Sequence, residues 1–253
     1  MEVHHHPDLH HKRKKIKEYF LEFLMIFLAV TLGFFAESLR EYIGEKRMEK
    51  EFIKSFVSDL KKDTAAFNYA IPREETALRG LDTMLGTLSQ PAYSDSCIRL
   101  MYYLSRKYTE SIQSMTYTLS TISQLKYAGG MRLISDKQAS DSILSYNKRV
   151  DDINSILDFT THYFMIPSIH TGDKIFNAKY FLPYDGESVS GLLYSGKKII
   201  LLSNDPALIG EYTGLIYQAK EIRTSYLKEL IWHRERALDM ISFFENKYQL
   251  EKD

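Results

Sequence analysis

The residues with the greatest capacity for chemistry stand at the start of the chain. The opening MEVHHHPDLHHKRKK carries His4, His5, His6, His10 and His11, five of the eight histidines. Clustered imidazoles bind zinc, copper or nickel, and they gain charge as the pH falls toward six. Pro7, Asp8 and Leu9 interrupt the run, so it follows no defined ligand spacing. Two readings stand: a metal-handling tail, and a solvated tail beside a membrane. Two further histidines each follow a carboxylate by four residues, in the pairs Asp158 with His162 and Glu229 with His233. Residues four apart share a helix face. His162 lies off the apolar seam of its helix and His233 lies on it. A surface pair and a core histidine are therefore expected, not one shared metal site.

Other reactive groups are sparse. Cys97 is the one cysteine, so no intramolecular disulfide can form. Its neighbours Ile98, Leu100 and Met101 predict a small buried apolar residue. Tyr102, Tyr103, Tyr108, Tyr117, Tyr127 and Tyr146 could line a ligand box, but their helical spacing assigns most of them to cores and seams. The chain has no phosphate loop, dinucleotide fingerprint, nucleophile elbow or His-Glu-x-x-His. The expectation is a protein that is not an enzyme and needs no cofactor. Thirty-three basic residues balance 33 acidic ones. With no net field to attract a polyanion, nucleic acid is not an expected partner.

The elements that carry these groups begin with an apolar segment. Residues 19–36 read YFLEFLMIFLAVTLGFFA, with Glu22 as the only charge. A helix of about 20 apolar residues crosses a bilayer. Lys17 and Arg40 can snorkel at the two ends. The segment is apolar on all faces, unlike a core helix with its single stripe. It is also long for a cleavable signal, and Phe34 stands where a cleavage site wants a small residue. The expected organisation is a His- and Lys-rich cytoplasmic tail at 1–18, a transmembrane helix at 19–38 and an extracytoplasmic helical domain at 39–253. Lys12, Arg13, Lys14, Lys15 and Lys17 crowd one flank, which places the N-terminus in the cytoplasm. Glu22, Ala29, Gly33 and Ala36 fall on one face of this helix. Small residues four apart allow close helix approach, and a carboxyl on that face could bond across a helix pair. A self-association face is the functional reading, and an ordinary anchor in the lipid bilayer is the plain one.

Beyond the membrane segment the pattern is helical throughout. Phe52, Phe56, Leu60 and Phe67 recur at helical spacing, and Pro72 is expected to stop that helix. Further helices are expected over 73–88 and 95–107. Another holds Met115, Leu119, Ile122 and Leu125 and ends at Gly129-Gly130. Ser135 to Gln138 reads as a capping box. A heptad seam follows through Ala139, Ile143, Tyr146, Val150, Ile153, Leu157, Thr160 and Phe164, with Pro167 as its end. Residues 168–204 are glycine-rich with two apolar runs, either a small β-hairpin or packed loop. Asp205-Pro206 starts the last helix, whose seam is Tyr212, Leu215, Ala219, Ile222, Tyr226, Leu230, His233, Ala237, Met240 and Phe244. The fold class is all-α: a transmembrane helix continuous with an antiparallel helical bundle.

The run KEYFLEFLMIFLAVTLGFFAESLRE behind its histidine- and lysine-rich start resembles a bacterial family of uncharacterised single-pass membrane proteins, classed under a domain of unknown function. LSTISQLKYAGGMRLISDKQASDSILSYN resembles the same family's middle region, where a helix ends at glycine and a new one begins. The resemblance covers the membrane segment well, the middle moderately, and little from Ile169 onward. It implies an anchor in the bacterial inner membrane and a periplasmic domain. It brings no activity and no site residues. Three functions are compatible with the sequence: an interaction or scaffold protein, as a homodimer or with a membrane-complex partner; a sensor-like ligand-binding domain whose output a partner must carry; and metal handling by the tail.

Overall fold

The computed structural model describes residues 15–109, 115–127, 129–181, 190–194, 196 and 198–251. The described residues are mostly helical, with no strand among them. Helix α1 spans Ile16–Leu88, α2 Asp95–Leu104, α3 Ser120–Tyr127, α4 Lys137–Thr160, α5 Ile166–Ile175, α6 Gly191–Tyr194 and α7 Pro206–Tyr248. Two compact units separate, Met1–Glu51 and Phe52–Asp253.

In the first unit, one stretch of α1 is long and apolar enough to cross a membrane, and none of it is buried. Leu28, Phe34 and Phe35 are all exposed. The histidines of the tail lie outside the described residues.

The second unit is a bundle in which α7 runs antiparallel to both α1 and α4. On α1, Lys61, Glu74 and Asp82 pair with Glu245, Arg223 and Lys220 in descending order. On α4, Asp136, Ser142 and Arg149 meet Lys247, Arg236 and Glu229, again descending. The apolar residues form two cores. One joins Ile53 to Ile71 of α1 with α3, α4 and the second half of α7. The other joins Leu81 to Leu88 of α1 with α2, α6 and the first half of α7.

Pro72 does not stop α1 but lies inside it. Its ring deletes the N–H that would bond the carbonyl of Asn68. Pro72 and Asn68 are both exposed, so water can satisfy that carbonyl, while the seam continues through Ile71, Glu74, Ala77 and Leu81 on the buried side. Pro167 does not end its helix run either. A π-helical turn at Thr161–Met165 follows α4, and Pro167 occupies the first turn of α5, where a missing N–H goes unnoticed. The extra residue of that turn moves Met165 rather than Phe164 to the core. A second π-turn, Ser105–Thr109, follows α2.

Three further expectations change. Residues 115–119 form no helix, with Met115 and Tyr117 buried and Thr116 and Leu119 exposed. Gly129 does end α3, at φ +72°, a left-handed conformation suited to glycine. The N-cap of α4 is Asp136 rather than Ser135; its carboxylate accepts from the Ala139 amide at 2.8 Å and pairs with Lys247. Asp205 caps α7 as expected, accepting from the Ala207 amide at 2.9 Å ahead of Pro206. On α7, Ile216 and Arg223 take the buried places expected for Leu215 and Ile222.

The described part of the 168–204 connection holds no hairpin. Its apolar residues gather around Tyr102 of α2, and the one backbone bond between its two ends runs from the Leu202 amide to the Ile175 carbonyl at 2.8 Å among the described residues. Tyr102 donates to the Ile200 carbonyl at 2.9 Å and accepts from the Asn177 amide at 2.7 Å. Phe176, Tyr180 and Phe181 surround its ring. Burial pushes the Tyr102 phenol up to about 12.

Candidate functional site

Among the described residues, the carboxylate, guanidinium and imidazole side chains buried in the bundle gather in three places. The first is α1 beneath α3. Asp59 is buried, and one of its oxygens accepts from the Ser120 hydroxyl at 2.9 Å, the Thr121 amide at 3.1 Å and the Thr121 hydroxyl at 2.6 Å. The first turn of α3 is thus capped by a side chain from another helix, which answers its orphan N–H groups. One turn later Asp63 accepts from the Thr118 amide at 2.8 Å and the Tyr146 hydroxyl at 3.3 Å. Burial raises the Asp63 carboxyl above its ordinary range; the bonds from Thr118 and Tyr146 oppose the rise, and Asp59 adds to it.

The second place surrounds His233, which is 0% exposed. Its ring meets Trp232 at 5.0 Å, Tyr146 at 5.4 Å, Tyr117 at 5.5 Å and Phe67 at 6.2 Å between centroids. Nδ1 lies 2.9 Å from the Glu229 carbonyl. A carbonyl only accepts, so Nδ1 carries the proton and Nε2 is the bare nitrogen. Burial lowers the His233 imidazole below its ordinary value. Burial also pushes the Tyr117 and Tyr146 phenols far up. These groups have the chemistry of acids and bases, but a ring with no exposed surface cannot meet a substrate. Just outside, Arg149 forks onto the Glu229 carboxylate at 2.7 and 2.8 Å and lies 3.9 Å over the Trp232 ring. Two open grooves, of about 370 and 440 Å³, flank it.

The third place lies between the two apolar cores. Arg223 and Glu74 form a buried bidentate pair at 3.0 and 3.1 Å, and Arg223 Nη1 donates to the Tyr108 carbonyl at 2.9 Å. Glu74 falls between Ile71 of one core and Leu81 of the other, and Arg223 between Tyr226 and Ile216. Tyr108 packs over Gly80, where a Cβ would strike its ring.

Against this geometry the sequence-derived candidates divide. His162 and Asp158 form an exposed pair at 3.6 Å, while His233 is the core histidine. The carboxylate of Glu229 turns to Arg149, so the two acid–histidine pairs do not converge. No group of three or more His, Cys, Asp or Glu side chains that could hold a metal occurs among the described residues. Cys97 is half-exposed rather than buried; its thiol donates to Gln90 Oε1 at 3.2 Å at the capped start of α2. Tyr102, Tyr117 and Tyr146 are core residues, and Tyr127 is exposed. Glu22, Ala29, Gly33 and Ala36 are exposed on α1, within roughly 60° of each other on a helix of 3.6 residues per turn. His4, His5, His6, His10 and His11 lie outside the described residues.

Sequence reasoning missed Asp59, Asp63, Glu74 and Arg223. Their partners lie far along the chain. The available signal was four charged residues at seam positions of α1 and α7, where apolar ones belong. No family model matches this chain, and no curated protein or solved structure matches it either.

Proposed function

We propose that this chain is a membrane-anchored helical interaction and scaffold protein without catalytic activity of its own. It resides in a bacterial cytoplasmic membrane, crosses it once, and holds its helical domain in the periplasm. The observation that carries this reading is the stretch of α1 at 19–36, whose large apolar side chains are exposed on every side. Water would not tolerate such a surface, and a bilayer or another apolar helix would. The basic flank at 12–17 supports the orientation, and the resemblance to single-pass bacterial membrane proteins supports the compartment. The non-enzymatic part draws on how the bundle uses its ionisable groups: Asp59, Asp63, Glu74, Arg223 and His233 tie helices together and are closed to solvent.

The partner is a second copy or another membrane-associated chain. A second copy would use the face of Glu22, Ala29, Gly33 and Ala36. Extraction in a mild detergent followed by native mass measurement tests the reading. A second polypeptide in fixed ratio supports it, and Gly33→Leu then separates a homodimer from a heteromer. A single chain with nothing bound, across several mild detergents, would contradict it. A sensor-like role is the second reading, favoured by α1 contributing residues to both units. It requires ligand-dependent change in cysteine crosslinking at positions 37–42.

A further inference from the structure

His233 of α7 sits where that helix meets α1, α4 and the segment before α3, and its surroundings are matched to one protonation state. Phe67 comes from α1, Tyr117 from the segment before α3, Tyr146 from α4 and Trp232 from α7. The neutral imidazole suits this box. Its Nδ1–H has an acceptor in the Glu229 carbonyl, and its bare Nε2 faces the aromatic enclosure without a hydrogen-bond partner. The imidazolium does not suit it. Protonation would add an N–H and a full charge at Nε2, in a site closed to water.

The charged and titratable groups around the ring do not relieve that cost. On α7 the Glu229 carboxylate is held by the Arg149 guanidinium of α4, so its charge is already answered. On α1 the Asp63 carboxylate is taken by the Thr118 amide and the Tyr146 hydroxyl. Tyr117 offers a buried hydroxyl with no partner of its own, a weaker acceptor than a carboxylate. The ring faces attract a cation, but more weakly than lost hydration opposes it.

We propose that His233 is a proton-operated latch: the neutral imidazole seals the junction of α1, α4 and α7, and the imidazolium loosens it. The latch is independent of the anchor reading. Its direction follows from linkage. The folded chain holds the His233 proton less tightly than the unfolded chain does, so this contribution to stability is complete above about pH 6.5. It is lost as the pH falls below that value toward the folded pKa. Each pH unit in that window changes the opening equilibrium by up to about tenfold. Asp63 acts in the opposite sense, because the folded chain binds its proton more tightly.

The reporter is built in, since Trp232 is the one tryptophan and its ring touches His233. The full chain in detergent micelles is unfolded with urea at pH 7.5, 6.5 and 5.5, and Trp232 emission is followed. The unfolding equilibrium constant of the wild type is expected to rise by up to about tenfold between pH 6.5 and 5.5. His233→Phe, which fills the box without a titrating group, is expected to flatten that rise, and Asp63→Asn to leave it or steepen it. Equal pH responses in wild type and His233→Phe would overturn the latch. Should His233→Phe fail to fold, imidazole NMR of the wild type decides. A His233 midpoint below that of exposed His162, with faster amide exchange in α7 on protonation, supports the latch. A midpoint at or above that of His162, or protonation without a change in exchange, overturns it.

Discussion

Removing Glu74 should unfasten the two halves of the bundle. Its carboxylate and the Arg223 guanidinium are each about one-twentieth exposed, at 5% and 6% of the side chain, so solvent screens neither. Glu74→Ala leaves a buried guanidinium without the carboxylate that answers its charge. Breaking a buried pair from one side costs roughly 3–5 kcal/mol. Arg223→Ala should cost at least as much, because it strands both the Glu74 carboxylate and the Tyr108 carbonyl. Arg223→Lys should recover little, since an ammonium cannot make the two-point contact. The double change Glu74→Leu with Arg223→Met replaces the pair by apolar volume between two apolar cores. It should cost far less than the sum of Glu74→Leu alone and Arg223→Met alone, which gives a large coupling in that double-mutant cycle. Urea unfolding followed by Trp232 emission measures all four corners. Single changes costing under about 1 kcal/mol, the range of a surface pair, would refute the reasoning.

Other consequences are local. Asp59→Ala strips three donors of their acceptor at the start of α3, and should destabilise the domain by about 1–3 kcal/mol with faster amide exchange confined first to α3. Gly80→Ala drives a methyl into the Tyr108 ring and should cost about 1–3 kcal/mol, and Tyr108→Ala in the same chain should remove that penalty. Tyr102→Phe keeps the ring but loses both bonds to the connection; limited proteolysis should then cut residues 176–204 faster, with a stability loss of about 1–2 kcal/mol.

What the sequence displays, and what it hides, follows from the range of the interactions. The apolar run at 19–36 is legible because a surface apolar on all faces has few explanations. Gly129 and Asp205-Pro206 are legible because a left-handed turn and an N-cap are set by neighbours in sequence. The α4 seam is legible from Ala139 to Thr160 because heptad spacing reports one buried face. It fails at Phe164, since nothing local announces a π-turn. Pro72 misleads because its effect depends on which side of the helix faces water, and that is decided by packing. Residues 115–119 mislead because Met115 and Leu119 share a helical spacing. The amides of Met115 and Thr118 are in fact claimed by Tyr226 and Asp63, which are distant in sequence. The partners of the enclosed polar network are hidden for the same reason, although its charges stand at seam positions. Asp59, Asp63, Glu74 and Arg223 look like surface charges until tertiary partners bury them.

The anchor is the foundation of the functional reading, and it can be tested without knowing any partner. Membranes from cells expressing the full chain are washed with alkaline carbonate, which strips peripheral proteins and leaves bilayer-spanning ones. The intact chain is expected in the membrane pellet, and two aspartates introduced as Leu24→Asp and Leu28→Asp should release it. Recovery of the unaltered chain in the supernatant would contradict a bilayer-spanning α1 and, with it, the scaffold reading built on that helix.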